Sequence, residues 1–326
     1  MEPTIPDRQT ILETARRIAD FIHHTPLFHS HTIDLLLEAE VVFKCENLQK
    51  VGAFKFRGAT NGVLSLDEEE AKKGVCTHSS GNHAQALSLA ARNRGIPAYI
   101  VMPETSSRVK IEAVQNYGGR IFFCKPTLAA REETLEQVRQ KTGATEIHPY
   151  NDYRTIAGQA TAALELIREA GHFDMILTPV GGGGLLSGTA LSAHFFSPGT
   201  KVIAAEPAMA DDAFRSFYSG VLVPSVSPRT IADGLLTSLG SLTFPIIRQH
   251  VSQIVTVSEE AIVKSMKFVW ERMKLVIEPS SAVPVAALFE YGKSGLDPHF
   301  HIKGKRIGVI LSGGNVDLMK LPWLNQ

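Results

Sequence analysis

Apolar, strand-like runs alternate with helix-like runs along almost the whole chain, and no other feature restricts the fold as much. Strands are expected over 40–46, 75–79, 98–103, 120–125, 175–180, 201–206, 253–257 and 306–311. Helices are expected over 54–66, 82–94, 106–117, 128–142, 154–170, 185–194, 259–273 and 281–291. Ile11, Leu12, Ala15, Ile18, Ala19 and Ile22 recur at helical spacing, so an amphipathic helix opens the chain. Such alternation needs right-handed crossovers, which put helices on both faces of mostly parallel sheets, an α/β fold. The short links among 75–79, 98–103 and 120–125 allow a compact α/β unit, 73–150, inserted into a larger one made of 1–72 and 151–326. The stretch 208–250 has the weakest periodicity and holds Pro224, Pro228 and Pro245, so it reads as an irregular surface excursion.

Several function classes fall away on composition. The 326 residues are 44% hydrophobic and 20% charged, enough for a substantial core. Lys+Arg and Asp+Glu are both 33, so neither nucleic acid nor an anionic membrane meets a strong field. No apolar run is long enough to span a bilayer, and 1–17 is polar and then amphipathic, without a signal-peptide core. Cys45, Cys76 and Cys124 lie in or beside strand-like segments with no CxxC pair, which favours buried free thiols and a cytoplasmic protein.

The chemistry centres on Lys55, surrounded by Val51, Gly52, Ala53, Phe54, Phe56, Gly58 and Ala59. Apolar surroundings weaken a lysine's preference for its charged form, and the neutral amine is a nucleophile toward aldehydes. A solvated helix lysine beside a core phenylalanine is the plainer explanation of this run alone.

Thr178-Pro179-Val180 ends a strand, Gly181, Gly182, Gly183 and Gly184 follow, and Leu185 opens a helix. A strand–glycine loop–helix unit turns free backbone N–H groups and the positive helix end toward an anion such as phosphate. Two other accounts exist. Gly182, Gly184 and Gly188, with Glu206 closing the next strand, would serve a dinucleotide, and a tight glycine turn needs no ligand. The dinucleotide account leaves Lys55 idle and expects its fingerprint on the first βαβ unit.

Ser79-Ser80-Gly81-Asn82-His83 joins a strand to a helix, where N–H groups can bind a substrate carboxylate. Asn82 can reach a ring hydroxyl, and His83 can be a helix-start residue. The Ser80 hydroxyl either caps the helix or returns a proton to the substrate Cα on the face opposite Lys55. Ser312, delivered by strand 306–311 into Gly313-Gly314, can meet a pyridine nitrogen as a weak partner, which favours α-proton removal and β-elimination over transamination. An amine, a phosphate cradle and a grip on ring and substrate together are what a pyridoxal phosphate enzyme needs.

The chain resembles the fold-type-II pyridoxal phosphate enzymes of the serine racemase and serine/threonine dehydratase family, whose architecture is like the tryptophan synthase β subunit. The resemblance covers nearly the whole length. It rests on Glu46-Asn47-Leu48-Gln49-Lys50, Lys55-Phe56-Arg57-Gly58-Ala59, Ser79 to Ala86, Ile156-Ala157-Gly158-Gln159, the tetraglycine, Ile231-Ala232-Asp233-Gly234 and Ser312 to Asp317. Trp270 to Pro279 and Ser80 look most like the racemases, since dedicated threonine dehydratases typically carry alanine at the Ser80 position. The 3-hydroxyaspartate dehydratases share the double serine. Tyr150 stands where some racemases have asparagine near the phosphate, and Ala84 replaces a glycine of mammalian racemases.

The resemblance implies racemisation of serine together with L-serine and L-threonine dehydration, the alternatives being threo-3-hydroxyaspartate ammonia-lyase or dehydratase activity alone. It implies Lys55 and Ser80 as the two proton-handling residues. Asn82, Gly181 to Gly184, Leu185 and Ser312 would hold the cofactor, and Ser79 to His83 the substrate. Arg131 suits a second substrate carboxylate, as in hydroxyaspartate, though a surface arginine would look the same. A Mg²⁺ site (or Ca²⁺ or Mn²⁺) would use the Glu206 and Asp212 carboxylates and the Ala210 carbonyl, with a strand end and helix-capping aspartates as the other explanation. Some relatives bind ATP as an activator between subunits, near residues matching Lys50, Tyr117, Lys274 and Asn315, and a homodimer is expected. A β-replacement enzyme such as a cysteine synthase shares the fold but needs an activated serine ester.

Overall fold

In the computed structural model, which describes residues 4–294 and 300–324, helix α1 (Arg8–Ile18) starts where the Asp7 carboxylate accepts the Thr10 N–H at 2.7 Å. Residues 1–3 of the N-terminal stretch lie outside the described residues. Strand β1 (Leu27–His29), helix α2 (His31–Leu37), strand β2 (Glu40–Cys45), helix α3 (Lys55–Leu64) and helix α4 (Glu68–Lys73) follow. Then come β3 (Val75–His78), α5 (Asn82–Arg94), β4 (Ala98–Pro103), α6 (Arg108–Asn116), β5 (Gly119–Cys124), α7 (Leu128–Thr142) and β6 (Thr145–Glu146). The remainder runs α8 (Tyr153–Ala170), β7 (Met175–Pro179), α9 (Gly184–Phe196), β8 (Lys201–Pro207), α10 (Asp212–Ser219), α11 (Thr243–His250), β9 (Gln253–Val257), α12 (Glu259–Met273), α13 (Pro279–Ser294) and β10 (Arg306–Leu311).

The strands form two sheets, in the orders β1-β2-β10-β7-β8-β9 and β5-β4-β3-β6. Every pairing is parallel except that of β1 with β2. Successive residues of the central strands serve opposite faces. Val41, Phe43, Leu177, Val309 and Leu311 pack with Ile262, Met266 and Val283 of α12 and α13. Val42, Ile176 and Ile310 pack with Ala163, Leu166 and Ile167 of α8. Burial on both faces is why these strands read as unbroken apolar runs. In the second sheet Val75, Ile100 and Met102 meet α3 and α5, while Cys76, Val101 and Cys124 meet α7. The three cysteines are buried and unpaired, and burial pushes the Cys45 and Cys76 thiols up to about 12.

Helix α3 lies between the two sheets. Its Phe56, Ala59 and Val63 join the core of the second sheet, and its other side crosses α8. A Cβ on Gly158 of α8 would fall 2.5 Å from Gly58 Cα, so these backbones touch. Further along α8, a Cβ on Gly188 of α9 would fall 2.6 Å from Ala160 N. One helix therefore holds both the lysine-bearing helix and the helix behind the glycine loop.

The excursion 208–250 is less irregular than its prolines imply. Helices α10 and α11 occupy its ends, and the irregular backbone is confined between them. Strands β1 and β6, with three and two residues, are too short to show a period. No helix among the described residues is long and apolar enough to cross a membrane.

Candidate active site

Three neighbouring strands, β2, β10 and β7, run parallel, so their carboxyl ends open on one edge. The chain leaving β2 reaches Lys55, the chain leaving β10 begins at Ser312, and the chain leaving β7 enters Gly181 to Gly184. Backbone contacts tie the first two together: Phe54 N–H donates to Ser312 O at 3.0 Å, and Ala53 bridges Gly313. From the second sheet, β3 delivers Ser79 to Asn82, and the turn after the adjacent β6 delivers His148, Pro149 and Tyr150. Ligand sites in open α/β sheets lie at such carboxyl ends.

Lys55 is the first residue of α3. Its Nζ donates to the Pro149 carbonyl at 2.8 Å and lies 5.1 Å from the Phe54 ring centroid. Burial lowers its pKa to about 8, with the Glu278 charge pulling the other way. The amine thus faces the site from one sheet while anchored to a turn of the other.

The glycine loop runs into α9, whose first-turn N–H groups have no carbonyl one turn ahead. Gly183 adopts φ +89°, and a Cβ on Gly182 would lie 2.3 Å from the Tyr150 ring. Tyr150 packs edge-on against His148 with ring centroids 4.6 Å apart. Ser312 is buried, its Oγ 3.1 Å from Ser281 Oγ. Gly188 sits at the α8–α9 crossing and Glu206 accepts the Ala213 and Phe214 N–H groups, so neither has the place a dinucleotide would need.

At the start of α5 the cap position belongs to Gly81, with no side-chain cap, and Ser79 Oγ accepts the Gly81 N–H at 3.3 Å. The Ser80 hydroxyl does not cap the helix and is half-buried. Asn82 Nδ2 donates to both Glu278 oxygens at 3.1 Å. His83 is buried, with Nε2 2.8 Å from Ile147 O and Nδ1 unpartnered. Burial and the nearby Lys55 charge hold it neutral, down to about 3. Sequence reasoning gave Glu278, His148 and the Pro149 carbonyl no role. Glu278 lies 196 residues from Asn82, and no local spacing signals such a pair.

Arg131 stands in the first turn of α7, its Nε buried and without a partner. Its charge lowers the pKa of His78, the residue before Ser79, though burial is the larger cause. At the end of β8, the strand next to β7, Glu206 is buried, as is Asp212 at the start of α10. Burial raises Glu206 to about 9 and Asp212 to about 6, with the Ser225 hydroxyl pulling Asp212 the other way. Two buried, destabilised carboxylates fit a hard divalent cation. Of the four residues tied to an ATP activator, Lys50 donates to Phe21 O, Lys274 Nζ donates to Glu271 O at 2.7 Å, Arg92 stacks on Tyr117, and Asn315 Nδ2 donates to Val51 O at 2.7 Å.

A desolvated amine, an anion-facing glycine loop that admits no Cβ, and a buried serine at a third strand end fit pyridoxal phosphate. Comparison with known proteins agrees. Residues 18–313 match the family model of pyridoxal-phosphate dependent enzymes. The chain is 48% identical over 319 residues to the beta-hydroxyaspartate dehydratase of Paracoccus denitrificans, covering 98% of this chain and 99% of that one. It is 50% identical over 315 residues to the serine racemase of Dictyostelium discoideum, covering 95% of each. The solved structure of maize serine racemase superposes with a TM-score of 0.93 at 44% identity, covering 97% of this chain and 95% of that one. With Lys55, the glycine loop and Ser312 on three adjacent strand ends and a family match over most of its length, the chain belongs to the pyridoxal-phosphate dependent enzymes of fold type II.

Proposed function

We propose that the protein racemises serine and dehydrates L-serine and L-threonine at one site, with Lys55 and Ser80 handling protons on opposite faces of the substrate. The observation that carries this reading is the meeting of Lys55, the glycine loop and Ser312 at the ends of β2, β7 and β10, opposite the Ser79–Asn82 turn. Pyridoxal phosphate, when bound, supplies the electron sink that makes an amino acid's Cα proton acidic. The first N–H groups of α9 would hold its phosphate, Ser312 Oγ its ring nitrogen and Asn82 its ring hydroxyl. Backbone N–H groups from Ser80 to His83 would bind the substrate carboxylate. Lys55 Nζ, neutral above about pH 8, takes the Cα proton. Ser80 Oγ returns a proton to the other face, giving the enantiomer. Loss of the β-hydroxyl first leads instead to a keto acid and ammonia. A tenfold preference between the exits needs only about 1.4 kcal/mol.

One observation favours a second substrate. Arg131 presents a guanidinium whose buried Nε has no partner, which suits a second carboxylate, and a relative at 48% identity is a beta-hydroxyaspartate dehydratase. Hydroxyaspartate ammonia-lyase activity is therefore part of the proposal. So are a Mg²⁺-type cation at Glu206, Ala210 and Asp212, and two domains with 73–150 as the smaller. A homodimer and an ATP activator rest on the family resemblance alone, and a cytoplasmic location on the three buried, unpaired cysteines. Incubation with L-serine, D-serine, L-threonine and threo-3-hydroxyaspartate, with and without Mg²⁺, tests the reading when keto acid and chirality are followed together. Exchange of serine enantiomers with pyruvate release is expected. Turnover of hydroxyaspartate alone would replace the racemase reading by the second.

A further inference from the structure

Register brings three metal-ligating side chains to one face of the second sheet. Cys76 of β3 pairs with Glu146 of β6, and the pairing continues as Ile147 N–H donates to Cys76 O at 3.0 Å. Side chains two apart along a strand point the same way. His78 and His148 therefore join Glu146 on the face of Cys76, toward α7, while Ile147 turns to the opposite core. One ligating atom from each of His78, Glu146 and His148 lies within 4.8 Å of the others, and all three residues are half-buried. The two imidazoles meet edge-on with ring centroids 6.1 Å apart. Burial is the main cause that lowers the pKa of both, His148 to about 4, so both rings are neutral at neutral pH. Arg139 Nη1 of α7 is 3.8 Å from Glu146 Oε2, too far for a hydrogen bond.

His148 also closes the turn that holds the amine. Its Nδ1 faces two backbone donors, the Asn151 N–H at 2.8 Å and the Tyr150 N–H at 3.3 Å. Backbone N–H groups only donate, so Nδ1 accepts and the proton of the neutral ring sits on Nε2. The turn carries the Pro149 carbonyl that accepts from Lys55 Nζ at 2.8 Å, and the Tyr150 ring that leaves room only for glycine at position 182. A cation on His148 is incompatible with these bonds whichever nitrogen it takes. On Nδ1 it occupies the lone pair that both N–H groups use. On Nε2 it sends the ring proton to Nδ1, where it opposes them.

We propose that His78, Glu146 and His148 form a site for a borderline divalent cation of the Zn²⁺ class, and that filling it opens the turn 148–151 and frees the Lys55 amine from Pro149. Two imidazoles and a carboxylate suit Zn²⁺ and do not suit Mg²⁺. Zn²⁺ bonds of about 2.0–2.2 Å set tetrahedral ligand atoms roughly 3.4 Å apart, so the widest pair has no more than about 1.4 Å to close. The effect on cofactor capture rests on the reading of Lys55 as the capturing amine; the site itself does not.

The test uses the full-chain protein without cofactor, in excess Mg²⁺ to fill sites made of carboxylates alone. Zn²⁺ is titrated by calorimetry, amide hydrogen exchange is followed at Tyr150 and Asn151, and capture of added pyridoxal phosphate is followed by absorbance. Glu146→Gln should weaken one Zn²⁺ equivalent by about tenfold or more, since losing a ligand costs at least as much as losing a group that supports one. His78→Ala gives the same reading if Glu146→Gln does not fold. Zn²⁺ should speed exchange at Tyr150 and Asn151 about tenfold in the native protein and leave it unchanged in Glu146→Gln. Capture should slow with Zn²⁺ in the native protein only, and without Zn²⁺ Glu146→Gln should capture at the native rate. Absence of a Zn²⁺ equivalent that depends on Glu146 and His78 overturns the site. Zn²⁺ bound there with unchanged or slower exchange at Tyr150 and Asn151 overturns the opening of the turn. Faster exchange with native capture upholds site and turn and counts instead against Lys55 as the capturing amine.

Discussion

Burial is what lowers the pKa of the Lys55 amine. With a pKa near 8 instead of 10.5, the amine is neutral over a range where a solvated lysine is charged. Capture of added pyridoxal phosphate by the cofactor-free protein should therefore rise through pH 8 and flatten, which stopped-flow absorbance can follow. A continued rise toward 10.5 would place the amine in water. Stability responds to the same proton: the unfolded chain holds it between about 8 and 10.5 while the folded one has released it, so this group's contribution rises with pH there and is absent below. Ser80 is separable from Lys55 by outcome. Ser80→Ala should abolish racemisation yet spare L-serine dehydration, read by chiral chromatography beside keto-acid release. Equal loss of both would make Ser80 a substrate ligand or a structural residue. Arg131→Ala should lower kcat/KM for threo-3-hydroxyaspartate by at least about tenfold more than for serine, since a charge-assisted pair to carboxylate contributes about 1.5–3 kcal/mol.

At the scale of elements, α8 holds the Lys55 helix and the glycine loop in register, because α3 and α9 cross it at Gly158 and near Ala160. Gly158→Ala would drive a Cβ to 2.5 Å from Gly58 Cα, where backbone must yield. It should destabilise the fold by about 1–3 kcal/mol in a denaturant titration. Helices and strands of this kind were legible in the sequence: α5, α7, α12, β4, β9 and β10 occupy the expected residues. Long amphipathic or doubly buried runs carry their own period. Strands β1 and β6 did not, being three and two residues long, and α10 and α11 were hidden by the prolines around them. The Lys55, glycine-loop and Ser79–Asn82 segments were legible because each is local. Glu278 and Pro149 were not, because their partners, Asn82 and Lys55, lie 196 and 94 residues away.

For the whole molecule, the candidate site lies where two sheets meet: the first carries Lys55, the glycine loop and Ser312, and the second carries the Ser79–Asn82 turn and the Pro149 carbonyl that accepts from Lys55. The proposed cation at Glu206 and Asp212 lies at the carboxyl end of β8, the strand next to β7, and its binding should show in global stability. Saturating Mg²⁺ at about 100 times its Kd should stabilise the native protein by about 2.7 kcal/mol, seen as a higher Tm, and should leave Asp212→Asn unmoved. The claim on which all of this depends is that Lys55 carries the cofactor. Borohydride reduction of the protein loaded with pyridoxal phosphate, followed by peptide mass spectrometry, tests it most directly. The reduced adduct is expected on Lys55, and in Lys55→Ala it should be absent together with the visible absorbance and turnover. An adduct on another lysine, or full turnover in Lys55→Ala, would contradict it.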